Sequence, residues 1–325
     1  MKKKYHNVLI TKNIVKRLLF FLLTTFVCFS SPQAAKTAFA SYPSSNNGFD
    51  YLQVPTQITK FGNTYYIADC YHNQIIYSEN LNTPLKHWKI MANNLHQPHA
   101  LASDGTVYVV VDTENHQVIS YTKGSDRFQE MQIFEHIGKR PHYITYEPSD
   151  GLFYVWSSLT GEMYLFHRTS GTTMLTLAEK RAIPLLNGLY VRSFTIVGDS
   201  ILFPCVELGA ILQVNRKTFE MEQYYPVPDA IAGMVQIVSI EDYFYITVSS
   251  DRIYNRSYAS IIRAKDLSQL QYGEYENLKQ FFGNGTPYYI SYFDGNYFMT
   301  HHDASPEIYR FQVENNNIKN ISGLY

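Results

Sequence analysis

Three proline-led segments constrain the fold more than any other feature of the sequence. Pro55-Thr56-Gln57-Ile58, Pro98-His99-Ala100-Leu101 and Pro141-His142-Tyr143-Ile144 stand 43 residues apart, one after the next. The chain around them is poor in helical pattern and rich in short β-branched and aromatic runs. A constant period of this size in such a chain is that of a propeller blade, four strands with their turns.

Turn chemistry extends the count. Each unit carries a short apolar strand, a two-residue turn and a stronger strand. The turns are Gly62-Asn63, Asp104-Gly105, Asp150-Gly151, Gly198-Asp199, Glu241-Asp242 and Asp294-Gly295. Five of the six contain glycine, which supplies the positive φ of a tight hairpin. The strands after the turns read as near-continuous apolar runs, as expected where both faces are covered by neighbouring blades. The prediction is an all-β, six-bladed β-propeller of four-stranded antiparallel blades, with approximate limits 55–97, 98–140, 141–189, 190–233, 234–285 and 286–325. Two segments compete to close the ring as its last outer strand: 49–54, ahead of the first repeat, and 318–325.

The first forty residues differ from the rest. Lys2, Lys3, Lys4, Lys12, Lys16 and Arg17 make a basic start, an apolar run spans 18–29, and Ala38-Phe39-Ala40 is a small-x-small pattern. That order predicts a secretory signal peptide over 1–40 and an exported domain over 41–325. An uncleaved anchor is the alternative, although the apolar run is shorter than the roughly twenty residues a membrane-spanning helix needs. The first forty residues hold seven of the 27 basic residues and none of the 28 acidic ones. The remaining chain, with 20 basic against 28 acidic groups, would repel phosphate backbones and anionic lipid. The expected partners therefore include no nucleic acid, and no membrane insertion of the mature chain is expected. Cys70 and Cys205 fall on opposite blades of such a ring, too far apart for a bridge, so two free thiols are expected.

Propeller geometry places a site without any motif. The start of strand one and the end of strand two of every blade gather at one mouth of the central channel. Starts of strand one give Thr56, His99, His142, Arg192, Gln236 and Tyr288; ends of strand two give Asp69, Asp112, Ser157, Glu207, Ser249 and His301. His72, Glu114, His116, His302 and Asp303 follow just beyond. His99, His142, Arg192, Gln236, Tyr288 and His302 are the candidate ligand-binding residues. Asp69, Asp112, His99 and His142 are the candidate ligands for a divalent metal such as calcium or zinc, since converging imidazoles and carboxylates suit a cation or a proton transfer. The competing role for the two aspartates is bonding backbone amides across a turn. His301 and His302 are adjacent, and alternate strand residues point oppositely, so only one of them is expected to face the channel. Tyr254 and Tyr258 fall in the long polar loop 249–260 on the same side.

The run Tyr65-Tyr66-Ile67-Ala68-Asp69-Cys70-Tyr71-His72-Asn73-Gln74-Ile75 resembles the strand, Asp, polar pair, strand segment of NHL-repeat propellers. The Pro-His openings at 98–99 and 141–142 are similar to those of that family as well. The resemblance covers most of 50–325, although blades four to six lack the Asp at the end of strand two. It implies either a metal-dependent lyase, as in the secreted peptidyl-amidating member with channel histidines as ligands, or a pure binding module. The chain has no Gly-x-Ser-x-Gly elbow, phosphate loop or His-Glu-x-x-His helix. The expected function is an exported module that presents the channel mouth to a peptide, glycan or protein at the cell envelope. A metal-dependent lyase or hydrolase is the alternative.

Overall fold

The computed structural model describes residues 35–37, 45–256, 259–283, 285–303, 305 and 307–325. Most of the expected signal peptide lies outside them. Six antiparallel sheets follow one another along the chain, each beginning with its innermost strand. Blade 1 is built from Pro55–Phe61, Thr64–Asp69, Gln74–Ser78 and Lys89–Ala92. Blades 2 to 6 begin with Pro98–Ser103, Pro141–Glu147, Thr195–Val197, Gly233–Ile240 and Thr286–Phe293. The protein is a six-bladed β-propeller. Among the described residues, no helix is long and apolar enough to cross a membrane.

The ring closes without exchanging a strand. Asn317–Leu324 is the outer strand of blade 6, whereas residues 49–54 form no strand. Blade 6 is joined to blade 1 by side chains instead. Thr300 Oγ1 donates to the Thr56 carbonyl at 2.9 Å, Lys60 Nζ meets Asp294 at 2.6 Å, and the Tyr325 hydroxyl donates to the carbonyl of Thr83 at 3.2 Å. Similar bonds stitch other junctions: Thr56 Oγ1 to the His99 carbonyl, Thr113 Oγ1 to Pro141, Ser193 Oγ to Val235, and the Ile290 amide to Gln236 Oε1. Each satisfies a polar group that the packed faces hide from water. Between them the blades bury interleaved aliphatic and aromatic side chains, with Trp88 and Trp156 wholly enclosed.

Blade 2 carries a fifth strand, which the repeat did not predict. Lys36–Thr37 pairs antiparallel with Gln132 and Ile133 on the blade's outer edge, and Lys36 reaches Glu135 at 2.8 Å. This short strand lies ahead of the cleavage position expected at Ala40.

The feature that shapes the mouth is a repeated backbone irregularity. In blades 1, 2 and 3 strand one opens with proline paired to the last residue of strand two: Pro55 with Asp69, Pro98 with Asp112, Pro141 with Ser157. The ladder then slips, so that Thr56, His99 and His142 each stand as the extra residue of a bulge. Blade 6 slips between Pro287 and Ile290, a step containing Tyr288 and Tyr289. A bulge leaves one residue unpaired and re-aims its side chain. Proline suits the first strand residue, where no ladder donor is needed. Immediately before each of the first three prolines, Val54, Gln97 and Arg140 adopt left-handed backbone, with φ of 60°, 53° and 60°. For non-glycine residues this conformation costs energy and has to be held in place by its surroundings.

Candidate functional site

The restraints on that strained segment explain the acidic residues at the ends of strand two. Asp69 Oδ1 accepts the Gln53 amide at 2.7 Å, Asp112 Oδ1 the His96 amide at 2.6 Å, and Ser157 Oγ the Lys139 amide at 2.8 Å. These are equivalent bonds in three successive blades. The next blade's left-handed residue is held from behind, since the Gln97 amide donates to Asn73 Oδ1 and the Arg140 amide to His116 Nδ1. The other oxygen of Asp112 takes Asn115 and Gln117, at 2.8 and 2.7 Å. That of Asp69 takes His72 Nδ1 at 2.6 Å and Gln74 at 3.3 Å. Both aspartates are fully buried, and burial raises their pKa above the ordinary value. Their bonding capacity is spent on these neighbours, and neither carboxylate bonds to His99 or His142. Among the described residues, no three His, Cys, Asp or Glu side chains converge on a point suited to a cation. The donor set therefore does not fit a divalent metal shared by Asp69, Asp112, His99 and His142.

The two histidines themselves are brought together. Their bulges turn both rings into the channel, where the centroids lie 3.9 Å apart. His142 is wholly buried and bonded at both nitrogens. Nδ1 lies 2.9 Å from the Tyr289 hydroxyl; Nε2 lies 3.0 Å from the Tyr190 hydroxyl and 3.2 Å from that of Tyr288. Because the Tyr289 hydroxyl donates onward to the Arg192 carbonyl at 3.0 Å, the network assigns the proton to His142 Nδ1 and leaves Nε2 an acceptor. His99 Nδ1 faces the Gln97 carbonyl at 2.9 Å, and Cys70 Sγ lies 3.8 Å from Nε2. His302 stacks on Tyr288 at 4.7 Å, while His301 turns the other way against Tyr309. Burial, followed by the nearby cations, pushes the pKa of His302 down to about 3. His99 also falls to about 3, with burial the largest cause. His142 lies well below its ordinary value because of burial and then the His99 ring. The imidazoles are neutral at physiological pH.

The remaining candidates divide. Gln236 is buried between blades, accepting the Ile290 amide and donating to the Tyr143 hydroxyl at 3.1 Å. Tyr288 is 5% exposed and plugs the channel with Tyr289. Arg192 is half-buried above this floor. One of its N–H groups donates to Ser249 Oγ at 2.9 Å, and its guanidinium lies 5.0 Å over the Tyr190 ring. Arg140 covers the same tyrosine at 5.3 Å but is paired with Glu114 at 2.8 Å. Glu207 accepts the Tyr254 hydroxyl at 2.7 Å, and Tyr254 is half exposed. Tyr258 lies outside the described residues.

No family model matches this chain, and no curated protein matches its sequence. Solved structures do match in fold. A chain of Kuenenia stuttgartiensis hydrazine synthase is 13% identical, with TM-score 0.56 over 82% of this chain and 79% of that one. Two proteins described as putative 6-phosphogluconolactonases are each 11% identical. The one from Bacteroides fragilis NCTC 9343 has TM-score 0.57 over 82% of this chain and 81% of its own; the one from Bacteroides uniformis ATCC 8492 has 0.55 over 81% of each. At such identity the likeness is one of fold alone.

Sequence reasoning missed Tyr190 and Arg140. Tyr190 lies in the segment leading to blade 4, outside any strand, and Arg140 precedes a proline, so neither falls on a strand end. Their signal was positional: Arg140 is the counterpart of Gln97 in the 43-residue repeat. Two grooves of about 340 and 330 Å³ lie elsewhere. The first, lined by Glu147, Asp199 and Arg216, sits among the hairpins at the far ends of blades 3 and 4; the second, lined by Leu202, Tyr225 and Phe244, lies between blades 4 and 5. Neither is lined by any of the mouth residues.

Proposed function

We propose that this protein is an exported ligand-binding propeller whose channel-mouth face takes a small polar ligand, a sugar or a peptide end, at the cell envelope. The observation that carries the reading is the arrangement around Arg192. A half-buried guanidinium stands above a sealed floor of neutral imidazoles and tyrosines, with Tyr190 and Tyr254 beside it. A cation removed from water without a charged partner is costly to keep, and such groups mark binding sites more often than structural ones. Rigid tyrosines supply contact area at small entropic cost. The floor itself favours binding over hydrolysis, because both nitrogens of His142 are engaged by tyrosines, and the Cys70 thiol beside His99 is fully buried with its pKa pushed up by that burial.

The test is capture on arrays of oligosaccharides and peptides, comparing wild type with the Arg192→Ala, Tyr254→Ala double variant. Both side chains project from the floor, so the fold is expected to survive, which circular dichroism checks. Loss of capture supports the reading. Unchanged capture by the folded variant contradicts it.

A further inference from the structure

We propose that the mouth recognises a carboxylate on a sugar, a uronic acid, with Arg192 as its anchor; this rests on the binding reading above. A guanidinium has five N–H groups and no acceptor. That of Arg192 spends one on Ser249 and lies over the face of the Tyr190 ring at 5.0 Å. Among the described residues it makes no ion pair, whereas Arg140 has Glu114, Arg252 has Asp229 and Arg256 has Asp303. Of these four arginines around the mouth, Arg192 alone lacks a carboxylate.

His142 Nε2 has one lone pair, and the hydroxyls of Tyr190 and Tyr288 both reach it. They reach it at 3.0 and 3.2 Å, so only one of them donates to it at a time. With Tyr288 able to take that place, the Tyr190 hydrogen can turn to an acceptor next to Arg192. A planar fork of N–H groups with one O–H beside it matches a carboxylate, which takes two parallel bonds from arginine. A phosphate dianion would call for a second free cation, and Arg140 is already neutralised.

The rest of the rim suits a sugar acid better than a peptide terminus. The Glu207 carboxylate, which accepts the Tyr254 hydroxyl, is an acceptor on the same rim. Sugar hydroxyls are donors that such an acceptor can use, and the Tyr190 and Tyr254 rings offer faces for a pyranose.

The experiment is calorimetric titration of the folded protein with D-glucuronate, methyl glucoside, N-acetylglycine and inorganic phosphate, repeated on Arg192→Met. Glucuronate is expected to bind wild type in preference to the other three. Arg192→Met should weaken it about 10- to 100-fold, the range for one charge-assisted hydrogen bond, while the melting temperature stays level or rises. Equal binding of methyl glucoside, tighter binding of phosphate or N-acetylglycine, or unchanged affinity in Arg192→Met overturns the proposal. Should Arg192→Met fail to fold, Tyr190→Phe removes only the hydroxyl and is expected to weaken glucuronate about 2- to 10-fold; no change there overturns it equally. Array capture that depends on Arg192 and Tyr254 but ignores carboxylates leaves the binding reading standing and removes the uronate. Capture that ignores the mouth removes both.

Discussion

The neutrality of the buried histidines has a measurable consequence for stability. His99 is 6% exposed, and its pKa falls from the ordinary 6.5 to about 3, chiefly through burial. As pH drops below 6.5, the unfolded chain takes up a proton at this position and the folded chain does not. The unfolded state then binds more protons, so stability falls as pH falls, until the folded pKa is reached near 3. One pKa unit corresponds to about 1.4 kcal/mol, so between pH 7 and pH 5 a single such imidazole removes about 2 kcal/mol. Other groups titrate as well. Glu307, raised to about 7 by burial and then by the Asp69 charge, acts in the opposite direction. The comparison must therefore be differential. His99→Asn keeps a donor near the Gln97 carbonyl and removes the titration. Packing lost with the ring shifts its stability by a constant amount at every pH. Urea unfolding of both proteins at pH 7, 6 and 5 should show the stability gap between them shrinking by about 2 kcal/mol toward pH 5. Parallel curves would mean that His99 titrates alike in both states, and would refute the buried, neutral assignment.

Other outcomes follow from the same geometry. Asp112→Ala strands the His96 amide together with Asn115 and Gln117, so it should cost about 2–3 kcal/mol in urea unfolding and leave glucuronate binding in place. Cys70 and Cys205 are buried, unbridged and raised in pKa by burial, Cys205 to about 12; both should resist iodoacetamide until denaturant is added, as mass spectrometry reads directly. If export cleaves the chain after Ala40, intact mass should begin at Ser41; the released chain then lacks Lys36–Thr37, and whichever of the Gln132 and Ile133 amides faces that strand should gain exchange relative to the uncleaved chain.

Much of the fold was legible because its determinants are local. A glycine in a two-residue turn reports a hairpin, and proline-led segments 43 residues apart, each followed by such a hairpin, report a blade. Cys70 and Cys205 could be assigned as free thiols from register alone. The bulges were not legible, because an unpaired residue in strand one carries no composition of its own. The proline openings at 55, 98 and 141 marked their position without revealing them. Hence His99 and His142 could be placed on one rim, but not ring against ring at 3.9 Å. Asp69 and Asp112 were ambiguous for a different reason. An aspartate that holds a strained turn and one that binds a cation share the same sequence position, and only the partners, Gln53 and His96, distinguish them. Ring closure depended on which distant segments meet, information that no local pattern carries; Tyr325 and Thr300 supply the contacts. Tyr190 was missed because it reaches His142 from a loop 48 residues away.

The claim on which the functional account rests is that ligand sits at the channel mouth beside Arg192. Tyrosine nitration reads this directly, because Tyr254 lies on that rim and is 50% exposed, while Tyr272 and Tyr292, 70% and 62% exposed, lie away from it. With saturating glucuronate, nitration of Tyr254 should be suppressed and that of Tyr272 and Tyr292 unchanged. Suppression at Tyr272 or Tyr292 with Tyr254 left reactive would place the ligand elsewhere and contradict the account.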